Sequence, residues 1–167
     1  GSQLNKDKLF SQLDTVLGYL KTPADIEIVP EVIPAFIHEN DLADIDAIVA
    51  SYTTYYDEGD RGDNIERAAK SLDGTIIHPQ ATISFNGIVG VRAYETGYKN
   101  APVIVEDRLE YGPGGGVCQV SSTLYNAALL AGLTETERHP HYAPSDYVPA
   151  GRDATVADNQ LDLKIRN

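Results

Sequence analysis

The spacing of apolar residues divides the chain into two stretches of different character. From Lys6 to Leu20 the apolar positions Leu9, Phe10, Leu13, Val16, Leu17 and Leu20 recur every three or four residues, which predicts an amphipathic helix. Thr22-Pro23 ends it, and Ile26-Glu27-Ile28-Val29 alternates like a strand. Pro30 and Pro34 bracket a short irregular stretch, after which Asp41 is placed to cap a helix over Leu42 to Ala50. No catalytic constellation lies in this stretch, and residues 1–47 read as a linker or the tail of a preceding module.

From Ser51 the pattern changes. Ser51-Tyr52-Thr53-Thr54-Tyr55-Tyr56 is rich in strand formers, an acidic loop covers Asp57 to Asp63, and a short helix is expected over Asn64 to Leu72. Asp73-Gly74 turns the chain into an expected strand Thr75–His78, and another is expected from Ala81 to Phe85. Val103–Glu106 and Leu109–Tyr111, joined by Asp107-Arg108, read as a hairpin leading into Gly112-Pro113-Gly114-Gly115-Gly116. A helix follows the glycine loop. Val117, Val120, Leu124, Ala127, Ala128 and Ala131 form an apolar stripe, and Gly132 is its stop signal. Strands are expected at Thr134–Glu137, Ala154–Val156 and Leu161–Ile165. Strands outnumber helices and do not alternate regularly with them. The expected class is therefore α+β, a mainly antiparallel sheet with the Cys118 helix packed on it, preceded by an N-terminal amphipathic helix.

Composition narrows the functional classes. The chain has 167 residues, enough for one good core, and a hydrophobic fraction of 42% excludes wholesale disorder. A net charge of −12 argues against nucleic-acid binding, which needs a basic face. No apolar run is long enough to cross a bilayer. Gly1-Ser2 resembles a tag-cleavage scar and the chain holds no methionine, so it reads as a fragment of a longer protein. Its lack of a leader says nothing about location. A single cysteine excludes a disulfide scaffold and any multi-cysteine zinc site.

That cysteine carries the candidate chemistry. Cys118 lies where a glycine-rich loop runs into a helix, and unpaired amides at a helix start favour thiolate over thiol. It is off the apolar stripe, on a side shared with Ser121, Ser122 and Tyr125. The glycines let backbone pass close to a ligand and aim N–H groups at an oxyanion. A cysteine nucleophile also needs a base. His139-Pro140-His141 follows a strand shortly after the helix, and Asp153 is available to orient an imidazole as a third member. His38 and His78 read as surface or structural residues. Two alternatives stay open: a buried structural cysteine, and a Cys-His-His zinc site, against which Pro140 and the lack of a fourth ligand both argue.

The run Gly114-Gly115-Gly116-Val117-Cys118-Gln119-Val120-Ser121-Ser122-Thr123-Leu124-Tyr125-Asn126 resembles the signature of the VanW domain family. So do Glu137-Arg138-His139-Pro140-His141 and Tyr147-Val148-Pro149-Ala150-Gly151-Arg152-Asp153-Ala154-Thr155-Val156. Upstream, Tyr52–Tyr55, Asn64-Ile65, Phe85-Asn86, Gly97-Tyr98 and Ala101–Val105 match in order. The resemblance makes residues 48–167 a VanW-like domain, often preceded in such proteins by a peptidoglycan-binding-like module and followed by a G5 module.

The resemblance implies an exported or membrane-anchored Gram-positive protein of the cell wall or cell surface, with peptidoglycan stem peptides as partners. Some members have been assigned as L,D-transpeptidases, which build 3–3 cross-links through a cysteine. On that reading the catalytic residues are Cys118, His141 and Asp153. His141 is favoured over His139 because the second histidine is the more dependable in the family pattern, whereas Tyr142 stands where a serine is common. Gly115, Gly116, Gln119, Ser121, Tyr125 and Arg152 are the expected substrate-binding residues, with Arg138 and Arg92 as further carboxylate partners. No cofactor and no metal is implied. The usual L,D-transpeptidase domain places histidine before cysteine, the reverse of the order here. A cysteine peptidoglycan hydrolase and a non-catalytic wall-binding module are the competing readings.

Overall fold

The computed structural model describes residues 2–18, 26, 28, 30–32, 42–43, 45–105 and 108–167. The chain divides into two compact units, Gly1–Ala47 and Ile48–Asn167.

In the first unit, strand β1 (Ser2–Leu4) pairs antiparallel with β2 (Pro30–Val32), and helix α1 (Lys6–Gly18) lies between them in sequence. Asn5 starts α1 by accepting the Lys8 N–H on its side-chain oxygen at 3.0 Å. The apolar face is narrower than expected. Leu9, Leu13 and Val16 are half-buried, but Phe10 and Leu17 are exposed. Pro30–Val32, read as irregular, is a strand; proline is tolerated there because it opens a strand with only one neighbour. Ile26 and Ile28 are in no strand, while Glu27 and Val29 lie outside the described residues, as do Leu20 and Asp41. The helix expected to run to Ala50 does not: residues 45–50 are irregular, with Ile45, Ile48 and Val49 exposed. Those β-branched side chains have low helix propensity and no face to pack against.

The second unit is α+β, as its pattern predicts. Helix α2 (Asp60–Leu72) is followed by β3 (Thr82–Ser84), the short helix α3 (Phe85–Val89), the strands β4 (Asn100–Val105) and β5 (Arg108–Pro113), helix α4 (Val117–Leu130), β6 (Thr134–Glu137) and β7 (Lys164–Arg166). β7 is the centre of an antiparallel three-stranded sheet, with β3 on one side and β6 on the other. β4 and β5 form a separate hairpin in register from Asn100↔Pro113 to Val105↔Arg108. The core joins Ile65 and Ala68 of α2, Phe85 and Val89 of α3, Val117, Val120, Tyr125 and Ala128 of α4, and Ala154, Val156, Leu163 and Ile165.

Several boundaries differ from expectation, each for a local reason. α2 begins a turn early, at Asp60, where Asp60 and Asp63 complement the positive end of the helix. Phe85 starts α3 instead of ending a strand, because Ser84 caps it by accepting the Gly87 N–H at 2.9 Å. Arg108 belongs to β5, opposite Val105, and Glu106 and Asp107 between them lie outside the described residues. Thr75–His78 is not a strand: turn hydrogen bonds from Thr75 N–H to Leu72 C=O and from Ala81 N–H to His78 C=O enclose it. Ser51–Tyr56 and Ala154–Val156 join no ladder: side chains of α4 bond Thr54, Tyr55 and Ala154, and the Thr155 N–H donates to the His139 carbonyl. The last strand shifts to Lys164–Arg166, leaving Leu161 in an isolated bridge with Ala157. Among the described residues no helix is long and apolar enough to cross a membrane.

Candidate active site

The glycine loop is built by close packing. An ideal Cβ on Gly115 lies 2.5 Å from the carbonyl oxygen of Pro102 and 2.7 Å from the carbonyl carbon of Ala101, so only glycine lets the loop lie against β4. Gly114 and Gly116 have φ of +87° and +104°, in the region that favours glycine. Asn64 of α2 fastens the loop from below. Its Nδ2 donates to the carbonyls of Lys99 (2.9 Å) and Gly115 (3.0 Å), and its Oδ1 accepts the Lys99 N–H at 2.7 Å.

Gly116 is the N-cap of α4, so Cys118 stands in the first turn of that helix. The amides of Val117 and Gln119 are engaged by the carbonyls of Gly114 and Gly116, while the Cys118 amide has no such partner among the described residues. The thiol is half-buried and its Sγ lies 3.5 Å from the carbonyl oxygen of Val156.

His141 is the second neighbour of the sulfur. Hydrogen bonding to Cys118 is the largest influence on its imidazole and raises its pKa. Burial opposes the rise, while the charge on Cys118 and then the hydrogen bond and charge of Asp153 reinforce it. Nδ1 of His141 is 2.7 Å from Oδ2 of Asp153. The same carboxylate oxygen accepts the His141 backbone N–H at 2.5 Å, so one buried acid fixes both the ring and the chain that carries it. Burial pushes the Asp153 carboxyl up, but the hydrogen bonds from the His141 backbone and ring outweigh it and hold the pKa below the usual value.

Arg138 supports Asp153 from the far side. Its Nη2 is 3.2 Å from Asp153 Oδ1, its Nε donates to the Asp153 carbonyl at 2.7 Å, and its guanidinium lies 5.1 Å from the centre of the Tyr125 ring. Arg138, expected as a carboxylate partner of substrate, is thus paired with a carboxylate of this chain. Arg92 is similarly committed, to Asp158 at 2.6 Å.

The expected substrate-binding residues divide. Arg152 is exposed, with Nη1 3.3 Å from Asn126 Oδ1. Gly115, Gln119, Ser121 and Tyr125 are buried. Gln119 uses its whole amide, accepting from Arg61 Nη2 at 2.8 Å and donating to Thr54 Oγ1 and the Tyr55 carbonyl. Ser121 donates to the Ala154 carbonyl at 2.6 Å, and Ser122 accepts the Ala154 N–H at 2.9 Å. Gly116 is partly accessible, but a Cβ there meets Arg61 and Ile65 at 3.0 Å, so its lack of a side chain serves packing against α2. The side of α4 that Cys118 shares is therefore covered by the returning chain, not open to solvent.

His139 is turned elsewhere, with Nε2 3.2 Å from Glu137 Oε1. The two histidines thus do not converge with Cys118. Among the described residues no group of three His, Cys, Asp or Glu side chains is arranged to hold a metal ion. Tyr147 is a neighbour that sequence reasoning did not single out. Burial first, and then the charge of Cys118, push its phenol up to about 12, so it stays protonated beside the sulfur. Its place in the same block as Arg152 and Asp153 was the available signal.

The family model described as VanW like protein matches residues 60–167. The chain is 45% identical over 121 residues to the uncharacterized protein YoaR of Bacillus subtilis (strain 168), covering 71% of this chain and 40% of that protein. It is 35% identical over 109 residues to the vancomycin B-type resistance protein VanW of Enterococcus faecalis (strain ATCC 700802 / V583), covering 62% of this chain and 40% of that protein. The chain thus spans about two fifths of the length of these relatives. No solved structure matches it. With the matched region holding α2, the glycine loop, Cys118, His141 and Asp153, this chain belongs to the VanW-like protein family.

Proposed function

We propose that this chain is the acyl-transfer domain of an extracytoplasmic, cell-wall L,D-transpeptidase that uses Cys118 to form 3–3 cross-links between peptidoglycan stem peptides. The observation that supports it most is the line from Asp153 through His141 to Cys118, with Nδ1 of the imidazole held at 2.7 Å. The name of the Enterococcus relative, a vancomycin B-type resistance protein, supports the wall setting.

In the first half-reaction His141 Nε2 takes the thiol proton, and the sulfur attacks the carbonyl carbon of the third stem residue. The amide bond to the terminal residue breaks, and His141 returns the proton to the departing amine. The Cys118 amide, unpaired at the positive end of α4, donates to the oxyanion. In the second half-reaction a side-chain amine of another stem attacks the thioester carbonyl and loses a proton to His141. The carbon–sulfur bond breaks, and the sulfur recovers that proton. One amide replaces another, with no other reactant. Asp153 keeps Nδ1 protonated throughout, and Arg152 is the exposed cation available to a stem carboxylate.

Incubation with purified muropeptides, read by mass spectrometry with Cys118→Ala as control, tests this. Cross-linked dimers that need Cys118 support transpeptidation. Shortened free stems mean a hydrolase using the same cysteine. Muropeptide affinity that survives Cys118→Ala, with no covalent adduct from a tetrapeptide donor or a carbapenem in a longer chain, means a binding module.

A further inference from the structure

Away from Cys118, a cavity of about 380 Å³ opens between the second half of α2 and the segment after α3, lined by Arg67, Lys70, Val89, Val91, Thr96 and Tyr98 among others. In a chain of net charge −12, its two charged lining groups are both cations. Arg67 and Lys70 are three residues apart on α2 and so share a side of the helix. Among the described residues neither forms a salt bridge, whereas Arg92, Lys99, Arg138 and Lys164 all do.

Arg67 is exposed and lies over Tyr98 and Gly97. Its guanidinium carbon lies 5.6 Å from the centre of the Tyr98 ring. It also fills the space a side chain would take at Gly97, where an ideal Cβ falls 2.8 Å from that carbon. Gly97 has a φ of +84°, so the backbone turn calls for glycine. A guanidinium resting on an aromatic ring, with no anionic partner among the described residues, offers its planar fork of donors to a carboxylate. Val89, Val91 and the Tyr98 ring add an apolar wall that inorganic phosphate cannot use but a short aliphatic residue can.

We propose that this cavity is a binding site for the free carboxylate end of a short peptide, with Arg67 and Lys70 receiving the carboxylate and the Val89, Val91 and Tyr98 wall receiving the terminal side chain. The site is independent of the Cys118 chemistry, and Cys118→Ala leaves it intact.

The test is titration of the ¹⁵N-labelled full chain with N-acetylalanylalanine, its C-terminal amide and inorganic phosphate, following the amide signals of Gly90, Val91, Gly97 and Tyr98. Saturating shifts are expected with the free acid, and affinity lower by about tenfold or more with the amide, which lacks the charge. Arg67→Gln is expected to abolish saturation. Lys70→Gln, on the exposed side of α2, is expected to weaken binding severalfold with the spectrum otherwise unchanged, and it carries the comparison if Arg67→Gln fails to fold. The proposal is overturned by no saturating shift with the acid, by equal binding of acid and amide, by phosphate matching the peptide, or by Lys70→Gln binding as the parent does.

Discussion

Asp153 holds His141 twice with a single oxygen: Oδ2 accepts the backbone N–H at 2.5 Å and faces ring Nδ1 at 2.7 Å. Burial alone would raise the Asp153 pKa, and the two His141 hydrogen bonds reverse that. The lowered folded value means that Asp153 contributes stability present above the unfolded pKa of about 3.9 and lost as pH falls through the folded one. Asp153→Asn lacks this ionisation. Urea denaturation across acid pH should therefore show a stability loss for the parent protein that is shallower in Asp153→Asn. In muropeptide assays the same variant should lose about 10²–10⁴ in rate, because an amide does not enforce the Nδ1–H tautomer. Identical acid profiles for the two proteins would sink the assignment.

His141 titrates in the opposite sense. Its raised pKa places a stabilising contribution below about pH 6.5 that is lost as pH rises through the folded value. Cys118 is the first cause of the rise, so Cys118→Ala should lower the His141 pKa seen by NMR of the ring carbon protons. Burial then opposes protonation with less to offset it. An unchanged titration in Cys118→Ala would separate the imidazole from the sulfur.

The legible parts of this molecule are those in which local pattern and tertiary environment agree. Helix α4 is the clearest case: its apolar stripe faces the core and Gly132, at φ +74°, follows its end as the stop signal predicts. That His141 lies near enough to Cys118 for the thiol to influence its imidazole accords with the order of the motifs, since a helix with a short return strand can bring its first turn near the loop after that strand. Gln119 and Ser121 are buried, although polar residues on a helix ordinarily mark its wet side. Here they replace the missing strand ladder, bonding the backbone at Tyr55 and Ala154. Ser51–Tyr56 is the complementary case. Its β-prone residues join no ladder, and a side chain of α4 bonds Thr54 and Tyr55 instead.

That exchange makes Gln119 a structural residue, which is testable apart from any substrate. Gln119→Ala leaves the Arg61 donor and the Tyr55 carbonyl without their partner in a site where Gln119 is 2% exposed. A loss of about 2–4 kcal/mol is expected in denaturant unfolding. In the transpeptidase assay KM should stay within about twofold, since uniform binding is not being removed. A stable variant with a raised KM would return Gln119 to the substrate side.

Gly115 and Gly151 offer a paired test of why the glycine loop is glycine. At Gly151 the backbone is left-handed, φ +78°, and a Cβ meets nothing within 4 Å. Gly151→Ala should therefore cost about 1–2 kcal/mol, from backbone strain alone. At Gly115 the obstacle is backbone, the Pro102 carbonyl oxygen at 2.5 Å and the Ala101 carbonyl carbon at 2.7 Å, and neither can swing aside as a side chain does. Gly115→Ala should cost about 2–3 kcal/mol or more, and its effect should not stop at stability. Lifting the loop from β4 breaks the Asn64 bond to the Gly115 carbonyl and shifts the start of α4, carrying Cys118 away from His141. Thiol alkylation kinetics and the His141 titration should change in Gly115→Ala and stay as in the parent in Gly151→Ala. Equal effects of both variants on the His141 titration would mean that the loop's packing against β4 does not set the position of the cysteine.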